Sequence, residues 1–428
     1  MKKVVSGLAA VLLSLSLWAQ LQFKNLDEVL DYADKNSLAA KAAQLNEQLI
    51  AKDEQLYRST LLPRIDLVAA ADYNAIIPSM VVPDKLMGGA EGKFSTVQFG
   101  LPFTFTPALE FSLPLIHPLK WQELKKLALE KERSKHNTGV QLEYLHVQLA
   151  QAYFNALAAK ELLAVSNESK KTVAQLLTVL EQQKKEGVLQ PVDYNRARLL
   201  QADIDNSAVN WKLLLNKSMD ALYQLLDISS ANTITLVENP VINWKLTEIT
   251  DAAKRPAYLL AETARKIAEQ SLVQSKNAGL PTLSLQARYA YQWQVNKGQT
   301  VQFDMSTVGL RLGVPLFAGG YYKRAQQKAA ILTEAAKTGG QQSLAQLKNE
   351  QADWINHFTA AASKQKNLKQ KMDATSDNLR IAQLSIREGV MEFDDFHTVF
   401  QEWIRVRMEH LQVINEGLFY QFLLTQKH

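Results

Sequence analysis

From Pro281 to Val295 apolar and polar residues alternate. Leu283, Leu285, Ala287, Tyr289, Tyr291 and Trp293 fall on one face, and Thr282, Ser284, Gln286, Arg288, Gln292 and Gln294 on the other. A period of two over that length specifies a long half-buried strand. After a polar loop the pattern returns in Val308, Leu310, Leu312, Val314 and Leu316, with Thr307, Gly309, Arg311 and Gly313 opposite. Aromatic residues gather at one end of the apolar face. An apolar outside, a polar inside and an aromatic girdle describe a hairpin of a membrane β-barrel. A surface hairpin of a soluble sandwich is the competing reading, and the rest of the chain weighs against it.

The hairpin is one of two. Leu61-Leu62-Pro63-Arg64-Ile65-Asp66-Leu67 matches Gly279-Leu280-Pro281-Thr282-Leu283-Ser284-Leu285, and Phe111-Ser112-Leu113-Pro114-Leu115 matches Leu312-Gly313-Val314-Pro315-Leu316. A third landmark, Glu186-Gly187-Val188, matches Glu388-Gly389-Val390, and its glycine follows the second proline, Pro114 or Pro315, by 73 residues in one copy and 74 in the other. Three landmarks held in order at that spacing indicate an internal duplication. Each copy opens with a helix, expected over Leu26–Arg58 and Ala252–Ala278, followed by an outgoing and a returning strand. In the first copy Ile65, Leu67, Ala69, Ala71 and Tyr73 share one strand face, and Leu109, Phe111, Leu113 and Leu115 another. The two prolines stand 51 residues apart in the first copy and 34 in the second. The surplus falls around Ile76–Ser95, where Pro78, Pro83, Gly88, Gly89 and Gly92 predict an irregular loop. Its glycine spacing does not fit a phosphate-binding loop, and Phe94 stands where that loop requires Ser or Thr.

Each hairpin leads into a stretch free of proline and nearly free of glycine, about Lys120–Glu186 and Tyr321–Glu388. A helix of that length spans roughly 100 Å. No globular domain holds it, so it belongs to a coiled coil or a tube wall. Leu142, Leu145, Leu149, Ala152, Ala156, Ala159, Leu163, Val173, Leu177 and Leu180 keep a heptad seam, with Ser166 and Lys170 as its misses. A second seam through Tyr153 and Leu157 lets the helix meet neighbours on two sides. Gly139 and Gly339-Gly340 are expected to bend or overwind the long helices. The glycine turns at Gly187 and Gly389 send the chain back through shorter helices near Asp193–Leu226 and Asp394–Leu424. Asp227–Thr250 reads as a linker with β-prone residues at Thr233–Val237.

Met1-Lys2-Lys3, the apolar run Val4–Leu17 and Trp18-Ala19-Gln20 predict a secretory signal peptide at 1–19. The first structural repeat is then placed at 20–240 and the second at 241–428. The absence of cysteine excludes thiolate metal sites, disulfides and an amino-terminal lipid anchor. The net charge of +5, two charges of which belong to the leader, gives no reason to expect nucleic acid as a partner. His357 follows Asp353 by four residues and His397 follows Asp395 by two, pairings that chance produces. No catalytic residue, metal site or cofactor is expected, and the chain is read as a non-enzyme. Trp293 suits a lipid interface, while Trp211, Trp354 and Trp403 suit helix packing.

Four strands cannot close a barrel, and an open edge in lipid leaves backbone groups unsatisfied. Small single-chain barrels need about eight strands, so this chain must share a barrel with copies of itself. The leader, the duplicated plan and the glycine turns resemble the outer membrane efflux protein family, the TolC-type channel-tunnels, over essentially the whole mature chain. The most specific local match is Gly187-Val188 with Asp193, and Gly389-Val390 with Asp395; Ala197 matches the family's small residue in the first copy, where the second has Val399. Gln190-Pro191 and Glu392-Phe393 replace the family's Ser/Thr between glycine and aspartate.

The resemblance implies an α+β membrane protein with an internal two-fold repeat. Each chain gives four strands to an oligomeric transmembrane β-barrel, which a long α-helical coiled-coil tube continues into the periplasm. It also implies a homotrimer in outer membrane lipid, acting as the passive exit duct of a tripartite efflux or type I secretion system. Its partners would be a periplasmic adaptor protein and an inner-membrane pump. Gly187, Val188, Gly389 and Val390 would be adaptor-docking tip turns. Asp193 and Asp395 would ring the periplasmic aperture, with Asp394 adding to the ring and Arg196 or Arg387 offsetting it. The alternative is an exported structural or adhesive coiled-coil protein of the cell envelope.

Overall fold

A computed structural model describes residues 21–229, 233–237, 242–245 and 248–426; the expected signal peptide lies outside them. In chain order the described residues form β1 (Leu21–Phe23), α1 (Leu26–Asn36), α2 (Leu38–Ser59), β2 (Arg64–Tyr73), β3 (Ser79–Pro83), β4 (Phe94–Gln98), β5 (Phe103–Ile116), α3 (Pro118–Lys185) and α4 (Pro191–Leu225). Then follow β6 (Ile234–Leu236), α5 (Pro256–Asn277), β7 (Thr282–Asn296), β8 (Gln299–Gly313), α6 (Tyr321–Arg387) and α7 (Phe393–Thr425). Helix, two strands, long helix and return helix thus occur twice. The long helices run for 68 and 67 residues, within two residues of the expected bounds. Two compact units cut across the duplication: Gln48–Arg133 with Thr263–Thr338, and the remainder of the chain.

The first unit holds an antiparallel sheet in the order β2-β5-β7-β8. Cross-strand partners share a face, and the register sets Ile65, Phe111, Ala287 and Val308 in one row and Leu67, Leu109 and Tyr289 in another. This apolar face has no cover: Leu67 is 74% and Val308 77% exposed. At its turn end Phe105 stacks on Trp293 with ring centroids 5.6 Å apart, and Tyr73 meets Phe103 at 4.8 Å. The opposite face aligns Asp66, Glu110, Arg288 and Thr307. There Arg288 pairs with Glu110 at 3.4 Å and Arg64 with Asp66 at 2.7 Å. β2 and β8 are edge strands, each with one partner.

Three sequence expectations for this unit change. The polar loop between β7 and β8 is strand on both sides of a two-residue turn, Lys297-Gly298, with φ of 37° and 90°. Two successive positive φ values make the tight hairpin connection that matches strand twist. The sequence pattern does not extend the strand this far, because Val301, Phe303 and Met305 alternate out of phase with Val308, Leu310 and Leu312. Val314 and Leu316 fall outside β8, which stops at Gly313 before Pro315; proline cannot donate to the ladder. The irregular loop at Ile76–Ser95 contains β3 paired with β4, in register from Ser79↔Gln98 to Pro83↔Phe94. Among the described residues no helix is long and apolar enough to cross a membrane.

In the second unit, β1 pairs in parallel with β6 inside the expected linker. Around this pair Val29, Leu149, Leu222 and Leu236 are buried in one core. The first opening helix, expected unbroken, is interrupted at the fully buried Ser37. Its N–H bonds to Ala33 O at 2.9 Å, and its Oγ accepts from the Ala40 N–H at 3.1 Å, so it ends α1 and caps α2. The Asp227 carboxylate takes another orphan donor, the Leu38 N–H, at 2.7 Å. The second opening helix is likewise divided: Arg255 is extended at ψ 140° after a 3-10 turn, because a residue before proline is disfavoured in helical geometry. α3 continues unbroken through Gly139, where an added Cβ would lie 3.1 Å from Pro256 Cβ. The glycine allows this close approach. α6 likewise runs on through Gly339-Gly340.

Arg255 reaches Glu143 at 2.7 and 3.0 Å and Glu350 at 3.0 Å, and its guanidinium lies 4.8 Å from the Trp354 ring centroid. Only 12% of the Arg255 side chain and 10% of the Glu143 side chain are exposed. Removing one member of a buried pair strands the other charge, at about 3–5 kcal/mol, whereas apolar replacement of both is often neutral. Arg255→Met is therefore expected to lower the unfolding midpoint sharply, and Arg255→Met with Glu143→Leu to recover most of it. Denaturant titration of the purified variants checks this.

Candidate functional site at the helix reversals

α3 ends where Gly187 adopts φ 75°, and α6 where Gly389 adopts φ 73°. The Gly187 N–H bonds to Lys184 O at 3.2 Å and the Val188 N–H to Gln183 O at 3.0 Å; at the second reversal Gly389 bonds to Ile386 O at 3.2 Å and Val390 to Ser385 O at 3.0 Å. Both are Schellman closures, which satisfy the last helix carbonyls through a left-handed residue. No atom lies within 4 Å of a Cβ added at Gly187, and only Gln183 Nε2, at 4.0 Å, approaches one at Gly389. Conformation, not space, requires glycine here. A Schellman turn commonly tucks an apolar residue against the helix just after its glycine. Here Val188 and Val390 are each 75% exposed instead.

The return helices start differently. Pro191 opens α4 at a position whose N–H has no helical partner in any case. Phe393 opens α7 and is buried in a core with Phe396, Phe400, Trp403, Leu180 and Ile386. Phe400 stacks on Phe396 and Trp403 with centroids 5.9 Å apart. Gln183 Nε2 donates to Ile386 O at 3.1 Å, tying one reversal to the other.

Asp193, Asp394 and Asp395 all lie in first helical turns, where the helix dipole favours negative charge. Arg196 Nη1 contacts both Asp394 carboxylate oxygens at 2.6 and 2.7 Å and Asp193 Oδ1 at 3.5 Å. The structure thus brings Asp193 together with Asp394, bridged by Arg196, while Asp395 stays exposed outside the bridge. Arg387 makes no ion pair among the described residues. An exposed pair of this kind contributes about 0–1 kcal/mol, so it can be made and broken. Val188, Asp193, Arg196, Val390 and Asp394 line a cleft of about 590 Å³ between the reversals. The Gln183 cross-link had no sequence signal, since a glutamine on a long polar helix looks like any other.

The histidine pairs have local explanations. His397 stacks on Phe393, with centroids 5.8 Å apart, and lies 2.9 Å from Gln401 Nε2. His357 stacks on Tyr420 and lies 3.2 Å from Glu416. Among the described residues no three metal-ligating side chains converge.

No family model matches the chain. It is 24% identical over 323 residues to outer membrane protein TolC of Vibrio cholerae serotype O1, covering 72% of this chain and 67% of that protein. It is 21% identical over 421 residues to the proteases secretion protein PrtF of Dickeya chrysanthemi, covering 95% and 88%. The solved structure of CusC superposes with a TM-score of 0.75 at 15% identity over 95% of this chain and 93% of that one. The chain has the fold of the outer membrane efflux protein family, the TolC-type channel-tunnels. The outer membrane protein VceC of Vibrio cholerae gives a TM-score of 0.74 at 14% identity over 93% and 95% of the two chains. In the TolC-type fold one chain supplies only part of the barrel, which accounts for the two open edges of the sheet.

Because the space around Gly187 is empty, only backbone geometry should penalise a substitution there. Left-handed φ costs a β-carbon residue about 1–2 kcal/mol, and asparagine tolerates it best. Gly187→Val is expected to hasten hydrogen exchange and proteolytic cutting around residue 187, and Gly187→Asn to leave both near the parent rate.

Proposed function

We propose that this protein is the passive exit duct of an efflux or type I secretion system in the bacterial outer membrane, with its helical part in the periplasm. The observation that carries the reading is the four-stranded sheet with a bare apolar face, a charged opposite face and two unpaired edges. In lipid such a sheet is tolerable only if β2 of one copy pairs with β8 of the next until the barrel closes. Closure alone admits two, three or four copies; the resemblance to TolC-type channels favours three, a homotrimer with a twelve-stranded barrel and two structural repeats per chain, 20–240 and 241–428. A coiled-coil stalk in water would leave the same apolar face without a matching solvent. The chain performs no chemistry in this reading; the energy comes from a pump in the inner membrane. Mass measurement in nanodiscs should return three chains per particle, with heat-sensitive migration on gels. A stable, folded monomer would remove the basis for the reading.

The helix reversals take two roles in the same reading. Gly187 with Val188 and Gly389 with Val390 present exposed apolar side chains on stiff turns, suited to docking a periplasmic adaptor. Asp193 and Asp395 line the aperture, and the Arg196–Asp394 bridge holds one repeat to the other beside it. Clustered carboxylates repel, so a closed ring draws in cations or basic partners. Asp193→Ala with Asp395→Ala is expected to lose both the cation preference of the closed duct and its block by multivalent cations from the periplasmic side. Arg196→Ala is expected to raise its conductance. Single-channel recording in planar bilayers reads all three, and unchanged ion preference and block in the double variant would place the gate elsewhere.

A further inference from the structure

The apolar seam of α3 fails at Ser166, and the duct reading makes no use of that failure. Ser166 and Ser169 lie at the base of a cleft of about 600 Å³ where α3, α4 and α7 meet. They are only 2% and 1% exposed, yet neither hydroxyl has a hydrogen-bond partner among the described residues. Other helical hydroxyls in this chain behave differently. Those of Thr178, Ser207, Ser271 and Thr359 bond back to the carbonyl four residues earlier, at 3.1, 2.8, 2.9 and 2.7 Å, the usual recourse of a hydroxyl inside a helix. Two adjacent buried hydroxyls that decline this option are groups waiting for a partner, since leaving them unpaired is unfavourable.

The cleft supplies the rest of a recognition surface. Ile204 on α4, with Ile404 and Met408 on α7, gives it apolar walls. Asp203 stands exposed at the rim and forms no ion pair among the described residues, while Arg405 and Glu409, which also line the cleft, pair with each other at 3.7 Å. The volume falls within the roughly 300–1,000 Å³ of small-molecule sites, which combine apolar walls with a few placed polar groups.

We propose that this cleft binds a small amphipathic amine. The apolar body lies between Ile204, Ile404 and Met408, a hydroxyl or ether of the ligand meets Ser166 and Ser169, and the ammonium faces Asp203. The site is separate from the aperture and does not rest on the exit-duct reading. Propranolol is a suitable probe, joining a fluorescent naphthyl ring, an ether, a hydroxyl and an ammonium. Its uncharged analogue 3-(1-naphthyloxy)propane-1,2-diol isolates the contribution of the charge.

Fluorescence titration of the full chain in nanodiscs, with empty discs subtracted, should show saturable binding of both probes. Asp203→Asn should weaken propranolol about threefold to fivefold, the scale of an exposed ion pair, and leave the diol unchanged. Ser166→Ala with Ser169→Ala should weaken both probes, and Ser166→Leu, which extends the seam into the cleft, should abolish both. Should the leucine variant fail to assemble, the alanine and asparagine variants decide alone. The proposal is overturned if no saturable component exceeds the empty discs, as when a second copy of the chain covers the cleft. It is equally overturned if the asparagine and alanine variants bind propranolol as the parent does.

Discussion

The surroundings of the four-stranded sheet follow from the hydrogen bonds that β2 and β8 do not make within one chain. In water, solvent can hydrogen-bond a strand edge. In hydrocarbon each unpaired backbone group costs several kcal/mol. The apolar face of the sheet, with Leu67 and Val308 largely bare, selects hydrocarbon as the surroundings. The edges then demand further strands. Because β2 and β8 are different surfaces, the contact between copies is head-to-tail, and such contacts produce rings when the rotation closes. Ring formation is thus a property of the edges rather than of any one favourable residue.

The helices meet a related problem by a different route. A helix satisfies its own backbone, so what α3 and α6 need is somewhere to put their apolar residues. Small side chains allow this on more than one side. Pro256 sits against Gly139, and Ala152, Ala156 and Ala159 are buried along α3. Trp244 presses against Gly417 so closely that an added Cβ would lie 2.6 Å from its ring. Interiors packed at crystal-like density leave no slack at such points. The cleft above Ser166 and Ser169 contrasts with this economy, which is why it invites a ligand rather than a packing explanation.

At the reversals, charge and conformation are divided between two kinds of residue. Gly187 and Gly389 set the path, since only a left-handed residue closes both helices in the observed way. Arg196 then decides which acids act together. It bridges Asp193 to Asp394 and leaves Asp395 outside, although Asp193 and Asp395 are equivalent in the duplicated sequence. The departure from internal symmetry shows in the residues themselves: Arg196 stands nine after Gly187, where the second copy has Thr398 nine after Gly389.

The sequence alone determined whatever repeats locally. Period-two alternation placed β2, β5 and β7, proline-free length placed α3 and α6 to within two residues, and two glycines marked the reversals. These signals are legible because each residue reports its own burial or backbone geometry. Tertiary structure decided whatever depends on partners distant in the chain. The pairing of β5 with β7, which joins the two hairpins into one sheet, brings together residues about 180 positions apart. The break at Ser37 follows from burial and from the distant Asp227 carboxylate, whereas the break at Arg255 is local to Pro256. The far half of β8 was hidden because its alternation changes phase at Thr307, and only its ladder with β7 shows it to be strand. The choice of Asp394 over Asp395 likewise needed Arg196 held beside it from the other repeat, since a charge finds its partner through space and not along the chain.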